Sequence, residues 1–152
     1  MLTSSGTFLV KEGALNAPWT TEYSNVSQGT VSGDLIGVLT DSGSFLVKQG
    51  ALNASWTNEY SGVAEGTVSA ATNSASLRIG VVTQSGNFLV KEGALNAGWT
   101  SEYTGASQDA LSGNLIGSLT NSGDFLVKQG ALNTGWTNEY SGVREGALWS
   151  NQ

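Results

Sequence analysis

Short apolar runs separated by glycine-bearing turns organise this chain. Leu35–Thr40 reads LIGVLT, the turn Asp41-Ser42-Gly43 follows, and Phe45–Lys48 reads FLVK. Two apolar runs across a tight turn predict a β-hairpin. Gly50–Ala54 (GALNA) reads as a connector, and Trp56–Tyr60 (WTNEY) alternates large apolar with polar residues as a half-buried strand does. Ser61–Ser69 (SGVAEGTVS) adds a turn and a fourth, weaker strand. The uninterrupted Phe-Leu-Val runs suit strands covered on both faces. Glycine recurs too often for helices.

The whole pattern is written four times. Its phenylalanines stand at positions 8, 45, 88 and 125, separated by 37, 43 and 37 residues. The longer spacing arises at Ala70–Ala75 (AATNSA), a small-residue stretch expected to form a surface loop. The repeats run over approximately 8–44, 45–87, 88–124 and 125–152, the last completed by 1–7. A second level of repetition lies above the first. Copies one and three carry Lys-Glu-Gly (Lys11-Glu12-Gly13, Lys91-Glu92-Gly93), whereas copies two and four carry Lys-Gln-Gly (Lys48-Gln49-Gly50, Lys128-Gln129-Gly130). Residues 1–72 align without gaps on 81–152, so the unit of duplication is a pair of repeats joined through Asn73–Gly80. The continuation missing after Ala147–Gln152 (ALWSNQ) is supplied by MLTSSG at the other terminus. These features predict an all-β single domain over 1–152. Its expected form is a β-propeller of four tandem repeats, closed by the N- and C-terminal segments. The alternative closure pools the repeats of two chains into a larger ring, that is, a homodimer.

Composition narrows the function. Charged residues are only 12% of the 152, and the net charge is −6 with four lysines and two arginines. No basic patch is available for phosphate contacts, which excludes nucleic acid, and an anionic membrane would not attract the chain. There is no cysteine and no histidine, so thiol chemistry, the usual general base and most zinc sites are absent. No apolar run nears the roughly 20 residues that span a bilayer, and MLTSSGTFLV lacks the pattern of a signal peptide. A soluble chain is expected. Its compartment is not legible, and no cofactor or metal is implied.

The letters that never change between copies are the candidates for a site. Phe8, Leu9, Val10 and their copies read as core, with Leu15, Ile36 and Leu39. Trp19, Trp56, Trp99 and Trp136 fit two roles: wedges between neighbouring sheets, or aromatic platforms for the C–H face of a sugar. Glu22, Glu59, Glu102 and Glu139 follow each tryptophan by three residues and precede Tyr23, Tyr60, Tyr103 and Tyr140. In a regular strand that tryptophan and tyrosine share one face and the glutamate takes the other. The glutamates are candidate acceptors for sugar hydroxyls, or anchors for a turn. Asn16, Asn53, Asn96 and Asn133 read as turn residues or ligand donors. Lys11, Lys48, Lys91 and Lys128 are all the lysines in the chain, one per repeat, and their retention implies a fixed partner. Trp149 stands where the earlier copy has Ser69 and is expected to pack at a seam or subunit contact.

Catalysis is not expected. Four near-identical sites suit binding better than chemistry, and the Glu12/Glu22 pairing recurs only in alternate copies. No phosphate loop or calcium loop is present.

Leu39–Gly50 (LTDSGSFLVKQG) and Leu119–Gly130 (LTNSGDFLVKQG) resemble the hairpin of tachylectin-2-like lectins and of bacterial tandem-repeat lectin β-propellers. The likeness extends over all four repeats. It implies a propeller that binds amino sugars or other glycans at equivalent sites between blades. The repeats here are shorter, and the Gly-Gly-Trp-type segment of the tachylectin sugar pocket is absent, so the family's binding residues are not carried over. The expectation is a multivalent carbohydrate-binding protein whose partners are clustered glycans. The alternative is a structural or protein-interaction propeller, of natural or engineered duplication, with no small-molecule ligand.

Overall fold

The structure, a computed structural model, describes residues 1–150, and these form fourteen strands and no helix. β1 (Thr7–Val10) and β2 (Thr20–Ser24) make an N-terminal pair. Three four-stranded antiparallel sheets follow in simple meander order. The first holds β3 (Val26–Ser32), β4 (Leu35–Thr40), β5 (Ser44–Gln49) and β6 (Thr57–Ser61). The second holds β7 (Val63–Ser69), β8 (Arg78–Thr83), β9 (Asn87–Glu92) and β10 (Thr100–Thr104). The third holds β11 (Ala106–Ser112), β12 (Leu115–Thr120), β13 (Asp124–Gln129) and β14 (Thr137–Ser141). Among the described residues no helix is long and apolar enough to cross a membrane.

The LIGVLT–FLVK hairpin forms as its pattern dictates. Leu39 pairs with Phe45 and Leu35 with Gln49 across Asp41-Ser42-Gly43. Gly43 adopts a φ of 81°, a left-handed angle that glycine accepts without strain, and its N–H donates to the Thr40 carbonyl at 2.9 Å. The Thr40 hydroxyl accepts from the Ser44 N–H at 3.0 Å and so closes the turn. The sheets are out of phase with the Phe-to-Phe spacing. Each sheet begins two strands before its phenylalanine, because the most local pairing joins the end of one sequence copy to the start of the next.

Successive sheets pack against one another, with β3 beside β7 and β7 beside β11. The core therefore lies between sheets, in three clusters. One lies between the N-terminal pair and the first sheet (Phe8, Val26, Ile36, Val38). The largest lies between the first and second sheets, around Phe45, Val47, Ile79 and Val81. In the first two of these contacts a phenylalanine, Phe8 on β1 or Phe45 on β5, lies against a glycine in the first strand of the next sheet. A Cβ on Gly66 would sit 2.5 Å from the Phe45 ring, and one on Gly29 would sit 2.1 Å from Phe8. Only glycine leaves room for the ring to lie this close to the strand. Asp109 takes the place of that glycine in the third sheet, with its carboxylate against Gly80.

Val143–Ser150 lies outside any named strand but is held as β3 and β7 are held. The Val143 N–H donates to Gly123 O at 2.8 Å, as Val63 does to Gly43 and Val26 to Gly6. The Ser150 N–H donates to Ser112 Oγ, as Ala70 does to Ser32. At the other end, Met1 and Leu9 exchange backbone hydrogen bonds and Leu2 bridges Phe8, in the register Val38 and Leu39 hold on β5. Among the described residues no ladder joins Val143–Ser150 to the N-terminal strands.

Candidate binding site at the sheet junctions

A bulge decides where the repeated Glu-Tyr pair points. Phe45 pairs with Tyr60 but Leu46 with Asn58, so Glu59 is an extra residue in β6, and the same irregularity recurs in β2, β10 and β14. The extra residue breaks the two-residue alternation, and the glutamate and tyrosine side chains both reach the next sheet. Simple strand alternation, which would put them on opposite faces, does not hold. Tyr60 meets Trp99 of the next sheet edge-on (centroids 5.5 Å apart, 81°) rather than Trp56 of its own repeat. Trp56 in turn meets Tyr23 (5.6 Å, 80°), and Trp136 meets Tyr103 (6.0 Å, 79°).

Each complete junction has the same polar centre. Lys91 on β9 pairs with Glu59 of the preceding sheet, donates to the Leu95 carbonyl at 2.7 Å, and lies 4.6 Å from the Trp99 ring centroid. Lys48 does the same with Glu22, the Leu52 carbonyl and Trp56. Lys128 does so with Glu102, the Leu132 carbonyl and Trp136. These lysines and glutamates are buried, and the second oxygen of each carboxylate (Glu22, Glu59, Glu102) has no partner. Trp56, Trp99 and Trp136 are half-buried, and the Trp136 indole N–H donates to Glu102 O at 3.2 Å. The repeated lysines, glutamates, tryptophans and tyrosines of these three junctions are thus brought together, but as mortar between sheets, with the ammonium and carboxylate groups turned inward. An ammonium over an indole face and on a carboxylate is satisfied three ways at once.

The fourth set is split between the two ends of the described chain. Lys11 donates to Leu15 O and lies 4.8 Å from the Trp19 centroid, without a carboxylate partner among the described residues. Glu139 and Tyr140 stand exposed on β14. The asparagines Asn16, Asn53, Asn96 and Asn133 occupy the third position of exposed turns, such as that closed by Ala54 N–H to Ala51 O at 2.9 Å.

Open space lies at one end of alternate junctions. A cleft of about 440 Å³ runs between Val10, Lys11 and Glu12 on one side and Val31, Asp34, Ile36 and Leu52 on the other. A second, of about 300 Å³, lies 80 residues on in the alignment, with Glu92, Asn114, Gly130 and Ala131 where the first has Glu12, Asp34, Gly50 and Ala51. The Glu/Gln alternation sorts here. Gln49 donates to Asp34 at 3.0 Å, whereas Glu92 accepts from Arg78 Nε at 2.7 Å. Arg78 also donates to the carbonyls of Gly113 and Gly130 and so ties the second sheet to the third.

Three acidic groups missed by motif reading interact: Glu65 on β7, Asp109 on β11 and Glu145 in the Val143–Ser150 segment. Burial, then the nearby Glu145, pushes the Glu65 carboxyl up to about 7. Burial, then Glu65, raises Asp109 well above the usual carboxylate range, and neither of its oxygens has a partner. The only hint in the sequence is that Asp109 breaks the glycine register of Gly29, Gly66 and Gly146. Among the described residues no cluster of three or more acidic, cysteine or histidine side chains is placed to hold a metal.

No protein-family model matches the chain, and no curated protein matches it.

Proposed function

We propose that this chain is a multivalent carbohydrate-binding protein built as a β-propeller, and that the paired junction clefts are its sites. Face-to-face sheets with their first strands adjacent are what propeller blades require. The observation that carries the binding reading is the composition of the first cleft, where the carboxylates of Glu12 and Asp34 lie beside Val10, Val31, Ile36 and Leu52. Directional acceptors beside an apolar floor match a pyranose, which presents hydroxyls at its edge and C–H groups on its face. The acidic rim and the net charge of −6 favour neutral or amino sugars over sialylated or sulfated ones. The 80-residue duplication places a second, more polar cleft at the equivalent position, lined by Ser74, Ser76, Arg78, Glu92 and Asn114, so two weak and unlike sites of roughly millimolar affinity gain through avidity on a clustered glycan surface.

Apart from Lys11, which lines the first cleft, the lectin reading does not use the repeated tryptophans, glutamates and lysines as sugar contacts. A second reading follows from that: the junctions serve only to hold the sheets, and the protein is a scaffold. A glycan array followed by titration calorimetry separates the two. Binding of neutral or amino sugars, weakened at least tenfold by Asp34→Ala or Glu12→Gln, supports the lectin. No response to any glycan, with no agglutination of erythrocytes, leaves the scaffold.

A further inference from the structure

The three complete junctions obey one rule. The fourth strand of a sheet offers a glutamate and a tyrosine, and the next sheet answers with a lysine, a leucine and a tryptophan. Glu22-Tyr23 meets Lys48, Leu52 and Trp56; Glu59-Tyr60 meets Lys91, Leu95 and Trp99; Glu102-Tyr103 meets Lys128, Leu132 and Trp136. The chain carries one further half of each kind, and they do not meet. β14 presents Glu139 and Tyr140, the tyrosine 73% exposed, and all five of its residues face solvent. The N-terminal pair presents Lys11, Leu15 and Trp19, with Leu15 93% and Trp19 47% exposed. In the complete junctions the corresponding leucines and tryptophans are half-buried and the first three glutamates have only traces of exposure.

We propose that the β14 edge of one molecule docks on the N-terminal pair of a second copy of this chain, head to tail, and rebuilds the same junction. Glu139 takes the ammonium of Lys11 of the partner subunit, and the Tyr140 ring meets the edge of the partner subunit's Trp19. Charge complementarity and shape are both specified in advance, because three internal copies of the contact already exist in the molecule. The lysine half is pre-organised, since Lys11 already lies over its indole and on the Leu15 carbonyl. Both halves also leave apolar surface that only a neighbouring sheet would cover. The contact is heterologous, so each added copy offers a fresh edge until the ring closes.

Charge exchange tests this. Lys11→Glu and Glu139→Lys lie outside the three complete junctions, so each variant folds, as checked by its far-ultraviolet circular dichroism. Native mass spectrometry and light scattering at tens of micromolar should find the wild-type chain as an oligomer. Each single variant should be monomeric, its apparent dissociation constant raised at least tenfold by placing like charges opposite each other. Mixing the two variants restores opposite charges at every contact between unlike copies, and hetero-oligomers should reappear. Tyr140→Ala, which changes no charge, should also weaken assembly. A monomeric wild type overturns the proposal, as do oligomeric single variants or a mixture that stays monomeric. Lys11 also lines the first cleft, so assembly is read by mass and not by sugar binding.

Discussion

Replacing Glu59 by alanine strands the Lys91 ammonium in a junction from which water is excluded. Its side chain is 5% exposed and that of Glu59 only 1%, so neither charge can recover its hydration when the other is removed. What remains for Lys91 is one carbonyl at 2.7 Å and the Trp99 face at 4.6 Å. Breaking a buried pair by deleting one partner costs about 3–5 kcal/mol, against about 0–1 kcal/mol for a surface pair. For a domain of this size that corresponds to a fall in Tm of roughly 6–20 °C. Removing both charges is a different perturbation. Glu59→Leu with Lys91→Met eliminates two desolvated ions and a carboxylate oxygen that has no partner, so the double variant should lie within about 2 kcal/mol of wild type. Urea denaturation of the two singles and the double at pH 7 gives the coupling directly. A single-variant cost below about 1 kcal/mol, or costs that simply add, would refute the reasoning and return the glutamate and lysine to the surface.

Gly66→Ala should destabilise by about 1–3 kcal/mol, because the new methyl falls 2.5 Å from the Phe45 ring, and Phe45→Leu should relieve part of that loss in a double-mutant cycle by urea denaturation. Asp109→Ala should raise Tm, since it deletes a buried carboxyl with no partner, and the gain should be larger at pH 8 than at pH 5. The Glu65 carboxyl, ordinarily near 4.5, is held at about 7 in the folded chain. Its contribution is therefore fully present below pH 4.5 and lost as pH rises through 7. Tm measured from pH 5 to pH 8 should fall, and Glu65→Gln should flatten that slope; an unchanged slope contradicts the burial.

Much of the architecture was legible in the letters. Four copies of an apolar run, a glycine turn and a second apolar run specify hairpins, because pairing across a short turn is local and the φ of Gly43 is one that glycine accepts without strain. The duplication of a pair of repeats was legible too, and clefts of different lining open at its two equivalent positions. The position of the tryptophans between sheets was one of two readings the sequence left open. The candidate glycan rim at Glu12 and Asp34 was not legible, since residues from two sheets and different repeats line it.

Sequence by itself determined the strands, the turns, the repeat and which residue types each repeat would spend. Tertiary structure alone decided which copy each residue serves. One extra residue in the fourth strand turns Glu59 and Tyr60 toward Lys91 and Trp99 rather than toward their own repeat, and no periodicity in the chain encodes that choice. It also decided that four near-identical motifs are not equivalent. Glu22, Glu59 and Glu102 are buried by the sheet that follows them, while Glu139, with the same neighbours in sequence, faces solvent because no sheet follows β14 among the described residues. Burial is a property of what lies across the junction, and the sequence of one repeat does not contain it.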